Sequence, residues 1–422
     1  TLAALASPIA ENEPHYVSHF LGILSKMGAG EFVKLSALAK SHAEKALANE
    51  DARLSRIYRD HESEFYALAK NGAGVDAARL AAAMTYEVEA ETYLRRNPPS
   101  YFTASDSLAK GIEALRRAHA DADLVTKLKG RLREYQLQSK AEMTGHEIQI
   151  DREDIDLSKA IDQIQTLVTH DDLLEALKLL SFARSLTSYE EVKNEVIKLA
   201  QDHPLSHFIG ASILDNSGRV QAHLKSLHPG EGNQEEALEG RIFRHASEFL
   251  WRFRAQVYIE PARRKIWDQH FPSEGEFDFL VTNNPFVPPG HEGIFSRGIY
   301  YGLCGDMLLA AHLLAPQVEN SIRHVLEQRG VDVSNLDSDL TQQVKTLGPL
   351  LSLPETKQIF GPEYIFEFRG LLIEKLGYSF RHRIAHGFVS EGACYGPECS
   401  NLWWLVVRLC CTPFMYPESE ET

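Results

Sequence analysis

The chain has 422 residues, of which 44% are hydrophobic and 24% are charged, and its formal net charge is −15. A chain of this length normally folds into two or three domains, and this composition is typical of a globular protein. The acidic balance argues against a protein that coats nucleic acid through a broad basic surface. It does not argue against an enzyme that acts on RNA, because such an enzyme needs only a local cationic site.

The cysteines and the apolar stretches bear on the compartment. No apolar stretch reaches about 18 residues, so we expect no transmembrane helix and no membrane partner. The stretch TLAALASPIAENEPHY lacks a basic region before its apolar residues, so we do not expect a secretory signal. The odd, sparse set of five cysteines is typical of reduced thiols, and we expect a cytoplasmic protein.

Residues 1–200 are rich in Ala, Leu, Glu and Lys, with apolar residues at three- and four-residue spacing, as in FVKLSALAKSHAEKALANE. This pattern predicts a helical N-terminal domain. It has no fixed-period repeat, although stacked helical pairs would fit. The polar segment 142–158 indicates a boundary, and the texture changes again near residue 200.

Residues 201–300 predict a helical and irregular connecting region. Short apolar segments on either side of a turn at Asp215-Asn216-Ser217-Gly218 predict a small β-hairpin near 208–224. The segment 282–293, TNNPFVPPGHEG, is rich in turn-forming residues and predicts an irregular loop.

Residues 301–412 predict a bundle of about four helices, and the fold class is therefore mainly α. Pro316 should end or kink the first helix, so that a second helix starts on the proline. The segment 361–387 predicts one long helix with a buried face of five or more turns, since its apolar residues recur every three or four positions: Ile365, Phe368, Leu372, Leu376, Phe380 and Ile384. NLWWLVVRLCC predicts a buried closing helix, in which Trp403 and Trp404 fill the core. Residues 413–422 form an acidic tail.

The segment 381–387, RHRIAHG, places Arg381, His382, Arg383 and His386 within six residues. Histidine transfers protons near neutral pH, and a guanidinium stabilises charge that develops on a phosphate. RNA supplies its own nucleophile, the 2′-OH, so metal-free cleavage needs only a base, an acid and a cation. On a regular helix Arg381 and His386 lie about 140° apart. Either the long Arg381 side chain reaches around the helix, or a symmetry-related copy completes the site.

The R-x4-H spacing with a polar second residue resembles the motif of the HEPN superfamily of helical ribonuclease-like domains. The following Gly387 and the upstream LLAPQVENSIRHVLEQRG resemble an uncharacterised family of that superfamily with an R-N-x-x-x-H-G signature. His382 stands where that family has Asn. The resemblance covers roughly residues 300–412, with a weaker extension over 205–300.

The resemblance implies a metal-independent endoribonuclease of the kind found in toxin, anti-phage (antiviral defence) and stress-response systems. It implies that His386 is the general base or acid, that Arg381 binds the scissile phosphate, and that His382 supports them. It further implies a homodimer through the C-terminal bundle, with one motif from each copy in a shared cleft. The products would be a 2′,3′-cyclic phosphate and a 5′-OH.

Glu319 and Arg323 are four residues apart on the helix after Pro316, and the simplest interpretation is a surface ion pair. In the alternative, one of them faces the motif across the bundle, and they support the site together with Arg383.

Other interpretations of RHRIAHG stay open. One is a cationic helix C-terminus, which the helix dipole favours. Another is a metal site made by His382, His386, Cys394 and Cys399, although Cys-x4-Cys is not a common zinc spacing. We expect no metal and no cofactor.

Three functional hypotheses follow from these patterns. The first is an endoribonuclease with RNA as substrate, regulated by the N-terminal helical domain, which senses a trigger or a protein partner. The second is a catalytically silent nucleotide-binding or dimerisation scaffold. The third is a helical adaptor whose function lies in the N-terminal domain.

Overall fold

The computed structural model describes residues 14–142, 157–203, 207, 210–215, 218–227, 234–336 and 341–415. The predicted mainly-α fold is confirmed, since helices account for most of the described residues and strands form only two small hairpins. None of the helices in these ranges combines the length and the apolar character that crossing a bilayer requires. The chain divides into two compact units, Thr1–Gln149 with Leu214–Val220, and Ile150–Ile213 with Gln221–Thr422.

The first unit consists of consecutive helices, each packed against the next: α1 (Pro14–Met27), α2 (Phe32–Ala48), α3 (Ala52–Leu68), α4 (Gly72–Leu94), α5 (Tyr101–Arg117) and α6 (Ala122–Glu142). Small buried residues such as Ala39 and Ala43 allow close packing between helices. The starts of α3 and α4 are capped by Asp51 and Asn71, whose side chains accept hydrogen bonds from backbone N–H groups of the first turn.

The second unit is a larger helical assembly around one core. Its helices are α7 (Leu157–Leu167), α8 (Leu173–Phe182), α9 (Tyr189–Asp202), α10 (Gln234–His245), α11 (Trp251–Arg254), α12 (Glu260–His270), α13 (Asp278–Val281), α14 (Glu292–Cys304), α15 (Met307–Gln328), α16 (Leu347–Leu351), α17 (Pro354–Phe360), α18 (Pro362–Phe368), α19 (Phe380–Ala385) and α20 (Pro397–Met415). Stretches of π-helix at Ala246–Leu250, Ala255–Ile259 and Arg369–Ile373, and of 3₁₀-helix at Glu274–Phe277 and Gly392–Tyr395, adjoin them.

The two hairpins are β1 (Ala211–Leu214) with β2 (Val220–Leu224), and β3 (Ser334–Leu336) with β4 (Gln342–Val344). The first hairpin confirms the strand pair predicted near 208–224. The second was not predicted; it is antiparallel, with Ser334 opposite Val344.

Helix α20 lies at the centre of the second unit and is almost completely buried from Glu398 to Val407. The Trp403 indole N–H donates to the Ile299 carbonyl at 3.0 Å, and the Trp404 indole N–H donates to the Leu180 carbonyl at 3.1 Å. The predicted burial of both tryptophans is therefore confirmed. Trp403 lies directly on Gly302, where an added Cβ would be 2.0 Å from the indole ring. A glycine is required at that contact.

Helix α8, which carries Leu180, thus packs in the core of the second unit. The compact units divide near residue 150, the first of the two boundaries that the sequence indicates. The division into functional regions 1–200, 201–300, 301–412 and 413–422 stays a prediction, and the residues after 415 lie outside the described ones.

A buried polar network connects three helices of this core. The Arg254 guanidinium donates to both carboxylate oxygens of Glu367, at 2.6 and 2.8 Å, and to the side-chain oxygen of Asn401 at 2.7 Å. The backbone N–H of Thr187 also donates to Glu367, at 3.0 Å. Burial alone would raise the pKa of Glu367, but Arg254 and the Thr187 N–H hold the pKa of this carboxyl below its usual range.

The prediction of one long helix over 361–387 is wrong. Helix α18 passes into the π-helical stretch, Glu374 takes an extended conformation, and the chain reverses before α19 begins. The reversal brings Gly377 against the backbone of Gly370, where an added Cβ would lie 2.2 Å from the Gly370 carbonyl oxygen. Tyr378 N–H donates to that same carbonyl at 2.8 Å, and Ser379 follows with a φ of 47°.

Of the two outcomes predicted for Pro316, a helix end or a kink, the helix end is wrong, because α15 continues through the proline. A proline inside a helix costs about 3 kcal/mol. The apolar stripe of α15 is buried on both sides of Pro316, for example at Leu314 and Val318, and packs against α14 and α20. Tertiary packing therefore outweighs the local cost.

Candidate functional site

A pocket of about 280 Å³ lies between α15 and α19 in the second unit. Helix α19 is short, but its first residue, Phe380, is fully buried and fixes its position. The pocket is lined by residues from these two helices: Ala315, Pro316, Glu319, Asn320, Arg323, Arg381, Ile384 and Ala385. It therefore brings together three of the predicted site residues, Arg381, Glu319 and Arg323.

The Glu319 carboxylate lies between two guanidinium groups. Arg381 Nη2 is 2.9 Å from Glu319 Oε2, and Arg323 Nη2 is 3.0 Å from Glu319 Oε1. Glu319 is buried, whereas the Arg381 side chain is 42% exposed. Arg381 thus presents its charge to solvent while its other side is held by a buried carboxylate.

Arg323 is the more enclosed of the two arginines. Its Nη2 also donates to the Lys345 carbonyl at 3.2 Å. Its Nε is buried and has no hydrogen-bond acceptor within the described part of the chain. The pocket therefore holds two guanidinium groups and one carboxylate, with a net positive charge and an unsatisfied donor, which suits an anion.

His382 and His386 form an exposed pair on the outer side of α19. Their ring centroids are 4.4 Å apart, and the backbone N–H of His386 donates to the His382 carbonyl at 3.2 Å. His386 directly follows the last residue of the helix, and its ring stacks on Phe388 at 5.7 Å. Gly387, with a φ of 67°, turns the chain so that Phe388 folds back over the histidine.

Arg381 and His386 do not line the same pocket. Arg381 points toward α15, while His386 lies beyond the helix C-terminus and outside the pocket lining. The imidazoles of His382 and His386 are both exposed to solvent. Within a single chain, however, the Arg381 guanidinium and the His386 imidazole lie on different sides of α19.

Arg383 lies away from the pocket. Its Nη1 is 3.3 Å from Glu398 Oε1, at the start of α20, and 3.5 Å from the Tyr378 carbonyl. This contact anchors α19 to the buried helix of the core. Arg383 was predicted as a supporting residue of the site; in the structure it holds α19 against α20 and does not line the pocket.

Two residues of the site were missed by sequence reasoning. Asn320 lines the pocket beside Glu319, and its Nδ2 lies 3.5 Å from His291 Nε2. His291 Nδ1 is 2.8 Å from Gln317 Oε1, so an Nδ1–H donor would leave Nε2 free to accept from Asn320. The signal available was weak, since His291 lies in the irregular loop 282–293.

The four residues of the metal alternative are not brought together. Cys394 and Cys399 are buried, and burial raises the pKa of both thiols, whereas His382 and His386 are exposed. Within the described residues, no group of three or more histidine, cysteine or acidic side chains could hold a metal ion.

Comparison of the chain with protein-family models, with curated proteins and with solved structures finds no match. The resemblance of the RHRIAHG motif to the HEPN superfamily therefore stays a prediction from the sequence.

Proposed function

We propose that the chain is a metal-independent endoribonuclease of HEPN type that cleaves RNA through attack of the 2′-OH. The observation that carries the proposal is the juxtaposition on α19 of a pocket-lining, half-exposed Arg381 and the exposed His382–His386 pair. A phosphate in the pocket would meet Arg381 and Arg323, and the exposed histidines on another side of α19 would be available for proton transfer at the pocket of a second copy.

The chemistry needs no further group. An imidazole of His386 takes the proton of the 2′-OH, the 2′-oxygen bonds to phosphorus, and the bond from phosphorus to the 5′-oxygen breaks. An imidazolium returns a proton to that 5′-oxygen, which gives a 2′,3′-cyclic phosphate and a 5′-OH. Arg381 stabilises the charge of the pentacoordinate phosphorus.

A second copy would complete this site. Arg381 and His386 of one chain lie on different sides of α19. A homodimer through the C-terminal bundle would therefore supply the histidine of one copy to the pocket of the other. We propose a regulated toxin or anti-phage effector in the cytoplasm, with the N-terminal helical domain receiving a trigger or a regulatory protein partner. The five free cysteines fit a reducing compartment.

One observation favours a second candidate, the catalytically silent nucleotide-binding or dimerisation scaffold. Arg381 is already paired with the buried Glu319. A guanidinium held in this way is less available to stabilise the charge that develops in a transition state, and a scaffold needs no such stabilisation.

The test is RNA cleavage in EDTA by the purified chain and by Arg381→Ala and His386→Ala. Matched controls are Arg297→Ala and His312→Ala, exposed residues of the same unit outside the pocket. We expect cleavage to be lost in the first two variants and retained in the controls. Cleavage that requires a metal, or that survives either site substitution, refutes the ribonuclease. Arg381-dependent nucleotide binding without cleavage would favour the scaffold.

A further inference from the structure

Helix α1, the first described helix of the first unit, is apolar on two sides. Val17 and Leu21 are fully buried against α2 and α3. On the other side an apolar stripe is exposed: Tyr16 at 60%, Phe20 at 50%, Ile23 at 53% and Met27 at 71%. The spacing of these four residues places them along one line on the helix surface.

This stripe is unusual for a helix at the surface of a globular unit. Such a helix normally turns polar and charged residues to solvent and its apolar residues to the core. The outward side of α1 instead carries large apolar residues. In the chain's sequence from 14 to 27, Lys26 is the single lysine, arginine or acidic residue.

We infer that the α1 stripe is the contact surface for a second copy of this chain, with the two α1 helices packed antiparallel about a twofold axis. In such an isologous contact, a residue of one copy meets a different residue of the other, and the same pair recurs on the far side of the axis. Phe20 of one copy faces Ile23 of the other near the axis. Tyr16 faces Met27 at each end, a sulfur–aromatic contact.

Charge favours a second copy over a lipid surface. An interfacial membrane helix carries a basic polar face opposite its apolar one, whereas the opposite face of α1 is buried in the core. A chain of net charge −15 is also repelled by anionic lipid. Two copies of such a chain repel each other less through a face that has no carboxylate, and α1 has none.

The area of the stripe is sufficient for a pair. A large apolar residue offers of the order of 200 Å² when fully exposed, so the four exposed fractions correspond to roughly 450–500 Å² per copy. Two copies would bury close to the ~1,000 Å² that a specific interface requires. The flanking side chains of His15, His19 and Lys26 would add to that area.

The contact is independent of ribonuclease activity, and its test uses the full chain. Sedimentation velocity at tens of micromolar compares wild type with Phe20→Glu/Ile23→Glu, and with Leu137→Glu as control, since Leu137 is 57% exposed on α6. We expect the double variant to form a smaller assembly, with a dissociation constant raised at least about tenfold, and the control to match wild type. An assembly of the same size in wild type and double variant, whether monomer or oligomer, overturns the inference.

A second measurement tests the contact if the Phe20→Glu/Ile23→Glu variant fails to fold. Ile23→Cys and Leu137→Cys are each treated with a short bismaleimide, which joins thiols across the twofold axis. We expect a cross-linked dimer from Ile23→Cys only. Equal cross-linking of both variants, or of neither, overturns the inference.

Discussion

The buried Arg254–Glu367 pair predicts a large and pH-dependent loss of stability in Arg254→Met. The substitution keeps the apolar volume of the side chain but removes every hydrogen bond that Arg254 makes to Glu367 and Asn401. The Glu367 carboxylate is then left in the core with Thr187, which donates to it through the backbone N–H and the side chain.

The size of the effect follows from the carboxylate. Glu367 is fully buried, so in the variant it would be protonated in the folded state. Its unfolded pKa is about 4.3, and each pH unit is worth about 1.4 kcal/mol, so staying neutral at pH 7 costs about 3.7 kcal/mol. This agrees with the roughly 3–5 kcal/mol lost when one partner of a buried pair is removed.

The sign of the pH dependence distinguishes this explanation from loss of packing. In the variant the folded pKa of Glu367 lies above the unfolded value, so the deficit is largest at neutral pH and shrinks as pH falls toward about 4.3. Between pH 7 and pH 5 the difference from wild type should shrink by up to about 2.7 kcal/mol.

Urea unfolding followed by tryptophan fluorescence is the assay, because all four tryptophans, at positions 251, 267, 403 and 404, lie in the second unit. Arg297→Met, which removes an exposed ion pair with Glu274, should change the free energy of unfolding by less than about 0.5 kcal/mol. A deficit below about 1 kcal/mol in Arg254→Met, or one that does not change with pH, would refute the reasoning.

Three further predictions concern the same unit. In wild type, Arg254 holds the pKa of Glu367 below its unfolded value. The contribution of Glu367 to the free energy of unfolding is therefore present above about pH 4.3 and is lost as pH falls through the folded pKa. Glu367→Gln should lack this part of the acid sensitivity in urea titrations between pH 5 and 3. Glu319→Gln removes the negative charge that pairs with Arg381 and Arg323. It should strengthen the binding of inorganic phosphate about tenfold in calorimetric titration, because a like charge about 6 Å from the phosphate costs at most about 3 kcal/mol. Weaker phosphate binding in this variant would contradict the prediction. Gly302→Ala should lower stability by roughly 1–3 kcal/mol in thermal melts because Trp403 occupies the space, whereas Gly293→Ala, which meets no neighbour, should not lower it.

Much of the core was predictable because its signals are local in sequence. The nearly all-apolar segment NLWWLVVRLCC predicted a buried closing helix, and α20 contains that segment, with Trp403 and Trp404 in the core. The apolar positions of 361–387 marked burial in part, since Phe368, Leu372 and Phe380 are buried. The other three, Ile365, Leu376 and Ile384, are half-buried. These positions did not reveal the chain reversal between Leu372 and Phe380, because the three- and four-residue spacing of the apolar residues continues along the sequence through the turn.

The reversal depends on contacts that no spacing reveals. Gly370 and Gly377 must meet backbone to backbone, and this contact exists only in the folded chain. The candidate site was predictable only where its signals are local in sequence. The spacing of Glu319 and Arg323 indicated a shared helix face, but the position of His386 depended on where α19 ends. His291 and Asn320 are brought together by a loop without periodicity.

Helix α19 has only six residues, so few of its amides donate within the helix. Arg383 N–H donates to the Ser379 carbonyl, and Phe388 N–H donates to the Arg383 carbonyl. Opening this one turn breaks few bonds and costs far less than unfolding the core. The amides of 383–388 should therefore exchange with deuterium much faster than those of α20, and opening of this helix would change the separation between the guanidinium of Arg381 and the imidazole of His386 while the core stays folded.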